Sequence, residues 1–193
     1  HNWLYYWEDR TNTSLSFDIL ANNDIDEQVS GGFFEFKAGP FDLNANSKNK
    51  VITPCRGIAK SIVAFLNTDG GILIIGYDER TSKIVGLDQS IEKLKEINPL
   101  RYGGKTTDQM KENVWLAVRN EIDKMIKFPS SKNWKYLTDE SKGNKQLIHC
   151  QFDTKDQLTL IRLQIRPFDS MLDGSANFCN IPLTPEEKNE TNK

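Results

Sequence analysis

At 193 residues, with 37% hydrophobic and 27% charged residues, the chain has the size and balance of one soluble globular domain, and a wholly disordered chain is excluded. Its net charge of −2 offers no global attraction for phosphate, so any nucleic-acid affinity must come from a local basic face. Cys55, Cys150 and Cys179 are too few and scattered for a disulfide framework, which points to a reducing, cytoplasmic setting, and no apolar run reaches the roughly 18 residues of a membrane span.

The first residues carry an aromatic cluster, Trp3, Tyr5, Tyr6 and Trp7, expected to pack on the core or on a partner, with base stacking as the sharper alternative. Asn22 to Gln28 is polar and reads as a loop. Phe33 to Lys37 reads as a strand, with Phe34 and Phe36 on one side and Phe33, Glu35 and Lys37 on the other. Asn44 to Lys50 is a second polar loop. Thr53-Pro54 opens a helix, as N-cap and first helical residue, and Ile58, Ile62, Phe65 and Leu66 follow at helical spacing.

Asn67 to Gly71 ends that helix in a glycine turn. Ile72 to Ile75 is a short, β-branched apolar run, the mark of a central buried strand. Gly76 to Arg80 leaves it, and Lys83 to Leu87 reads as a hairpin partner. A short helix from Ser90 to Ile97 is closed by Pro99, and Gly103-Gly104 breaks the chain again. Asp108 to Lys127 is the clearest helix, with a stripe of Met110, Val114, Val118, Ile122, Met125 and Ile126. Residues 130–145 read as a polar loop. Gln146 to Phe152 and Leu158 to Ile165 read as an antiparallel pair. We expect an α+β fold, a mixed and mostly antiparallel sheet with packed helices. The expected organisation is an N-terminal aromatic segment over 1–29, one domain over 30–184 and a flexible tail over 185–193.

The most specific signal is Ala64-Phe-Leu-Asn-Thr-Asp-Gly-Gly-Ile-Leu-Ile-Ile-Gly76. It describes a helix that ends in a glycine-permitted turn and feeds a buried strand. On spacing alone it is also a generic helix-to-strand connection. Glu35, by alternation alone, is a solvent-facing residue on the polar side of its strand. Arg56 and Lys60 sit i,i+4 on one helix and, with Lys37, form either an ordinary solvated surface or a phosphate-binding face.

Taken together, Glu35-Phe36-Lys37, the Ala64–Gly76 segment, Tyr77-Asp78-Glu79 and Val85-Gly86-Leu87 resemble the Schlafen core domain and the related bacterial AlbA_2-type domains. Gln164 to Phe168 is similar to a later Schlafen segment, so the resemblance runs over about residues 30–170. It implies an RNA-directed function, since active Schlafen nucleases cut structured RNA with three carboxylates and a divalent metal. The single lobe is similar to nematode Schlafen-like subunits of a nuclease that trims piRNA precursors. The start at His1 is expected of an excised fragment whose anchors or further domains lie outside it.

The chemistry behind that set is plain. Mg²⁺ or Mn²⁺ prefers oxygen ligands and needs negative charge to stay bound beside phosphate. The family pattern makes Glu35 one catalytic and metal-binding acid and Glu79 another, with Asp78 beside it. It places a further acid five residues before Glu35, where this chain has Ser30. Asp26 and Glu27 are displaced by about 10 Å at strand spacing. Lys37 matches the family's lysine, and with Arg56 and Lys60 on one helix face it forms the surface expected to contact RNA. His149-Cys150 matches half of a family zinc site, but Asp169-Ser170 stands where the second pair belongs, so structural zinc is not expected.

Two function classes follow. One is a subunit of a Schlafen-type, Mg- or Mn-dependent endoribonuclease acting on small-RNA (piRNA) precursors or tRNA. The other is an inactive lobe that binds RNA and docks an active partner; Ser30 favours it, while Glu35 and Glu79 favour the first. A DNA-binding regulatory domain is a third reading, disfavoured by the acidic balance. In both leading cases we expect RNA and another Schlafen-like subunit, in a homo- or hetero-oligomer, as partners, and no membrane contact. Two lobes face each other in the vertebrate relatives, and a lone lobe exposes the surface the second would cover.

Overall fold

The computed structural model describes residues 34–41, 53–126 and 147–167. The aromatic segment and polar loop before Gly31, the loops at 44–50 and 130–145, the tail, Ser30, Asp169-Ser170 and Cys179 lie outside the described residues.

The chain runs β1 (Phe34–Lys37), α1 (Thr53–Leu66), β2 (Gly71–Ile75), β3 (Tyr77–Asp78), β4 (Lys83–Ile84), α2 (Asp88–Ile97), α3 (Pro99–Tyr102), α4 (Thr107–Met125), β5 (Ile148–Lys155) and β6 (Leu158–Ile165). Four strands form one sheet in the order β1-β2-β6-β5, and β3 and β4 form a small separate ribbon. The β1–β2 pair is parallel, with Glu35 opposite Leu73 and Lys37 opposite Ile75. The β2–β6 and β6–β5 pairs are antiparallel. This is the expected α+β fold with a mixed, mostly antiparallel sheet. A parallel pair needs a long crossover, and α1 provides it.

Two apolar clusters flank the sheet. On the helix side Leu73 and Ile75 of β2 and Ile161, Leu163 and Ile165 of β6 meet Ile58, Ile62 and Leu66 of α1, Ile91 of α2, and Met110, Val114, Val118 and Ile122 of α4. On the other side Phe36, Ile72, Ile74, Tyr77 and Leu160 pack together. Every residue of β2 is buried, which explains its continuous apolar run: a strand covered on both faces has no polar side. Burying each such Leu or Ile contributes about 1.5–3 kcal/mol, which makes this strand the spine of the domain.

Several boundaries differ from expectation for identifiable reasons. The antiparallel pair extends to Lys155 and turns through Asp156 and Gln157, both at positive φ (51° and 66°), the geometry of a tight two-residue hairpin. Neither residue is glycine, so the turn left little trace in the sequence. Pro99 does more than stop α2, because it opens the one-turn α3, as proline is tolerated at a helix start. The α4 N-terminus is fixed by a reciprocal capping box: the Thr106 side chain accepts from the Gln109 amide at 3.3 Å, and the Gln109 side chain accepts from the Thr106 amide at 3.1 Å. The return strand is also shorter than expected. Only Lys83 and Ile84 pair, and their partners are Asp78 and Tyr77 rather than the central strand.

Gly76 causes that break. It has φ 111°, a conformation that side chains of L-residues disfavour. Its amide donates to the Lys37 carbonyl at 2.7 Å, and its own carbonyl accepts from the amides of Val85 (2.8 Å) and Gly86 (2.9 Å). One peptide thereby ties the end of β1 to the β3–β4 ribbon. A Cβ here would lie 3.2 Å from both Gly86 Cα and Leu160 Cδ2.

On the sheet's second face Arg162 is buried, paired through Nε with Asp153 Oδ2 at 3.0 Å and hydrogen-bonded to Gln151. Burial pushes the Asp153 carboxyl up and the Arg162 charge only partly offsets it. Among the described residues, no helix is long and apolar enough to cross a membrane.

Substituting Gly76→Ala combines positive φ with tight contacts, so it should lower stability by about 1–3 kcal/mol, measured as a shift in the urea midpoint at constant slope. The capping change Thr106→Ala should cost about 1 kcal/mol.

Candidate functional site

The site begins with the register of β1. Because Phe34 and Phe36 turn to the apolar second face, alternation sends Glu35 and Lys37 to the face of α1. There they pair directly: Lys37 Nζ forms an ion pair with Glu35 Oε1, and the side chains keep 30% and 37% of their exposure. Glu35 is therefore a half-buried, partnered group on the helix side, not a freely solvated one.

α1 adds a residue that the sequence reading passed over. The Ser61 hydroxyl lies 3.5 Å from Glu35 Oε1 and 3.2 Å from the Gly57 carbonyl oxygen, one donor shared between two acceptors. A Cβ on Gly57 would meet nothing within 4 Å, so the helix leaves open space beside Ser61. The signal in the sequence was weak: Gly57 and Ser61 are small residues one turn apart on the flank of an apolar stripe.

Glu79 arrives from the other direction. Once Gly76 has tied the end of β2 to β1, the chain passes through Tyr77 and Asp78 and delivers Glu79 to the same end of the sheet. The Tyr77 ring packs on Phe36 at 4.9 Å between centroids, locking this path to β1. Partial burial pushes the Glu79 carboxyl above its ordinary value of 4.5, and the Glu35 charge pushes it the same way; Lys37 opposes both, and Asp78 adds a smaller upward push. These causes place Glu35, Lys37, Asp78 and Glu79 in one electrostatic neighbourhood.

Asp78 has a different local commitment. Its Oδ1 accepts from the Arg80 amide at 3.1 Å and from the Arg80 guanidinium Nε at 3.3 Å. Desolvation alone would raise its carboxyl. The hydrogen bonds from Arg80 and Thr81 and the Arg80 charge outweigh that and hold it below the ordinary 3.8. Asp78 thus fixes the turn that carries Glu79.

The basic residues divide. Lys37 belongs to the acidic pair. Lys60, exposed, and Arg56, half-buried, lie on α1, about 100° and 140° around the helix from Ser61. They therefore leave the helix on a different side from the one that reaches Glu35. His149 is exposed and Cys150 is half-buried against the helix-side core, so strand alternation sends these neighbours to opposite faces of β5.

Two carboxylates, one of them beside the Ser61 hydroxyl, suit a hard divalent cation, whose preferred donors are oxygens. The fit is partial. Among the described residues no three His, Cys, Asp or Glu side chains gather as a cation site, and Lys37 already neutralises Glu35. What the arrangement supplies is a patch of concentrated negative charge with one ammonium group inside it, at the carboxyl ends of two parallel strands. Ligand sites in sheets with parallel strands favour that end.

A family model described as Schlafen, AlbA_2 matches residues 31–171. No curated protein matches the chain. Among solved structures, it is similar to the crystal structure of the DIP2311 protein from Corynebacterium diphtheriae, at 14% identity and a TM-score of 0.45. That likeness covers 83% of this chain and 23% of the other, so the chain spans under a quarter of that protein's length. The family match takes in β1 with Glu35, the turn with Glu79 and most of the sequence, and on that ground the chain belongs to the Schlafen AlbA_2 family.

Proposed function

We propose that this domain is a subunit of a divalent-metal-dependent endoribonuclease, with Glu35 and Glu79 as the acids that hold the cation. The observation that carries the reading is that the charge of Glu35 reaches an acid 44 positions away and raises the Glu79 carboxyl. Isolated surface carboxylates do not perturb each other in this way, and perturbed groups gather at functional sites. Family membership supports a nuclease or nucleic-acid-binding role. The finer assignment to piRNA-precursor or tRNA processing, beside another Schlafen-like subunit in the cytoplasm, rests on the sequence resemblance.

In this reading Glu35 and Glu79 would hold Mg²⁺ or Mn²⁺, which would supply Lewis acidity toward a phosphoryl oxygen. Ser61 orients Glu35 through its hydroxyl. Lys37 exchanges its bond to Glu35 for one to the RNA phosphate, where a compact ammonium acts as a point charge. Asp78 steadies the turn that presents Glu79. Arg56 and Lys60 contact the RNA backbone away from the cut, by shape rather than by base identity.

Ser30 favours a second reading, an inactive lobe that binds RNA and assembles with an active relative. Cleavage of structured and single-stranded RNA with Mn²⁺ or Mg²⁺, by the chain alone and with Schlafen-like partners, separates the two. The nuclease reading expects Glu35→Ala and Glu79→Ala each to cut the rate by about 100-fold or more, the scale of losing a group that stabilises developing charge. Undiminished cleavage by the partnered complex carrying either variant would assign the binding role.

The raised Glu79 carboxyl adds a pH signature. A cation needs the carboxylate, and a carboxyl pushed up becomes protonated at a higher pH than usual. Mn²⁺ affinity should therefore fall with decreasing pH, starting above the ordinary glutamate value of 4.5. Calorimetric Mn²⁺ titrations across pH 4–7 on wild type and Glu79→Gln check this, and the variant should lose that step.

A further inference from the structure

At the sheet edge opposite β1, a groove of about 410 Å³ lies between α4 and β5, lined by Glu112, Trp115, Leu116 and Arg119 of the helix and by Gln151 and Phe152 of the strand, among others. Leu116 is 45% exposed, one of two large apolar side chains left open among the described residues. Trp115 and Phe152 beside it are only partly covered by the core. With Trp115 and Phe152, Leu116 makes a small apolar patch at the mouth of the groove.

The charges around it are arranged with a symmetry. Glu112 and Arg119 are seven residues apart, so they share one side of α4 at two turns' separation. Leu116 lies on that same side between them, and the midpoint of the pair falls between Trp115 and Leu116. A stripe with an acid at one end, an apolar centre and a base at the other is its own complement when turned end for end. A twofold contact requires that property, since the same patch must serve both partners.

We infer that the α4–β5 groove is a homodimer contact in which two copies of α4 cross antiparallel over Leu116. Glu112 of each copy meets Arg119 of the other, and each Leu116 packs against the Trp115 and Phe152 side of its mate's groove. Arg119 also lies close enough to Asp123 to lower that carboxyl, against the larger upward push of its burial.

The contact stands apart from the acidic site. β1 and β5 are the two edges of a four-stranded sheet, about 14 Å apart at the usual strand spacing. Pairing through β5 and α4 leaves Glu35 and Glu79 open, and the dimer carries two such sites facing away from its axis.

Charge reversal in the 193-residue chain tests the geometry directly, with sedimentation equilibrium as the readout. Wild type should show a concentration-dependent monomer–dimer equilibrium. Glu112→Arg alone and Arg119→Glu alone should each raise the dimer dissociation constant about tenfold or more, because each places like charges together twice. An equimolar mixture of those two variants should recover the dimer as a heterodimer, with both opposed pairs restored, and so should the chain carrying both changes. General loss of structure would not be repaired by mixing. A wild-type chain that stays monomeric at every concentration would overturn the proposal, and so would single variants that dimerise like wild type or a mixture that fails to associate.

Discussion

The parallel pairing of β1 with β2, closed by the Gly76 peptide, is the constraint from which the rest of this domain follows. Parallel strands require a crossover, which α1 supplies, and the helix is then committed to covering the face that receives Glu35 and Lys37. The Gly76 amide, bound to the Lys37 carbonyl, fixes where the chain leaves the sheet. That departure brings Glu79 to within electrostatic reach of Glu35. A register shift of one residue in β1 would exchange Glu35 for phenylalanine at the helix face and bury a carboxylate against Ile72, Ile74 and Leu160.

The same constraint explains how charge survives in a half-buried place. Glu35 is neutralised by Lys37 and touched by Ser61, while Asp78 is satisfied by Arg80 and Thr81. The Glu79 carboxyl is raised by neighbouring negative charge as well as by burial. The cluster is therefore stable but unevenly satisfied, and the least satisfied member is the one that gains most from a cation. A buried charge held for structure looks different. Arg162, on the other face, is buried and locked between Asp153 and Gln151.

Much of this was legible in the sequence because the responsible signals are local. The all-apolar Ile72–Ile75 run announced a central strand, the 3.6-residue stripe of α4 announced its buried face, and the glycines after Leu66 announced the turn. The Phe-Glu-Phe-Lys alternation showed that Glu35 and Lys37 share a side. It could not show which side carries the helices, because period-two patterning is symmetric with respect to the layers above and below. Ser61 escaped notice for the same reason: its importance comes from a contact 26 positions away. The short α3, the non-glycine hairpin at Asp156-Gln157 and the Thr106 capping box were missed because their chemistry is carried by one or two residues. The commitment of Asp78 to Arg80 became visible only once the turn had a geometry.

The central claim is that Glu79 feels the charge of Glu35 across the end of the parallel pair. Carboxyl-detected NMR titration of Glu79 in wild type and in Glu35→Gln measures this without invoking metal, RNA or activity. The account predicts a Glu79 pKa above 4.5 in wild type that falls when the Glu35 charge is removed, since one repulsion disappears and Lys37 is released toward the remaining acid. An ordinary Glu79 pKa that is the same in both proteins would contradict it.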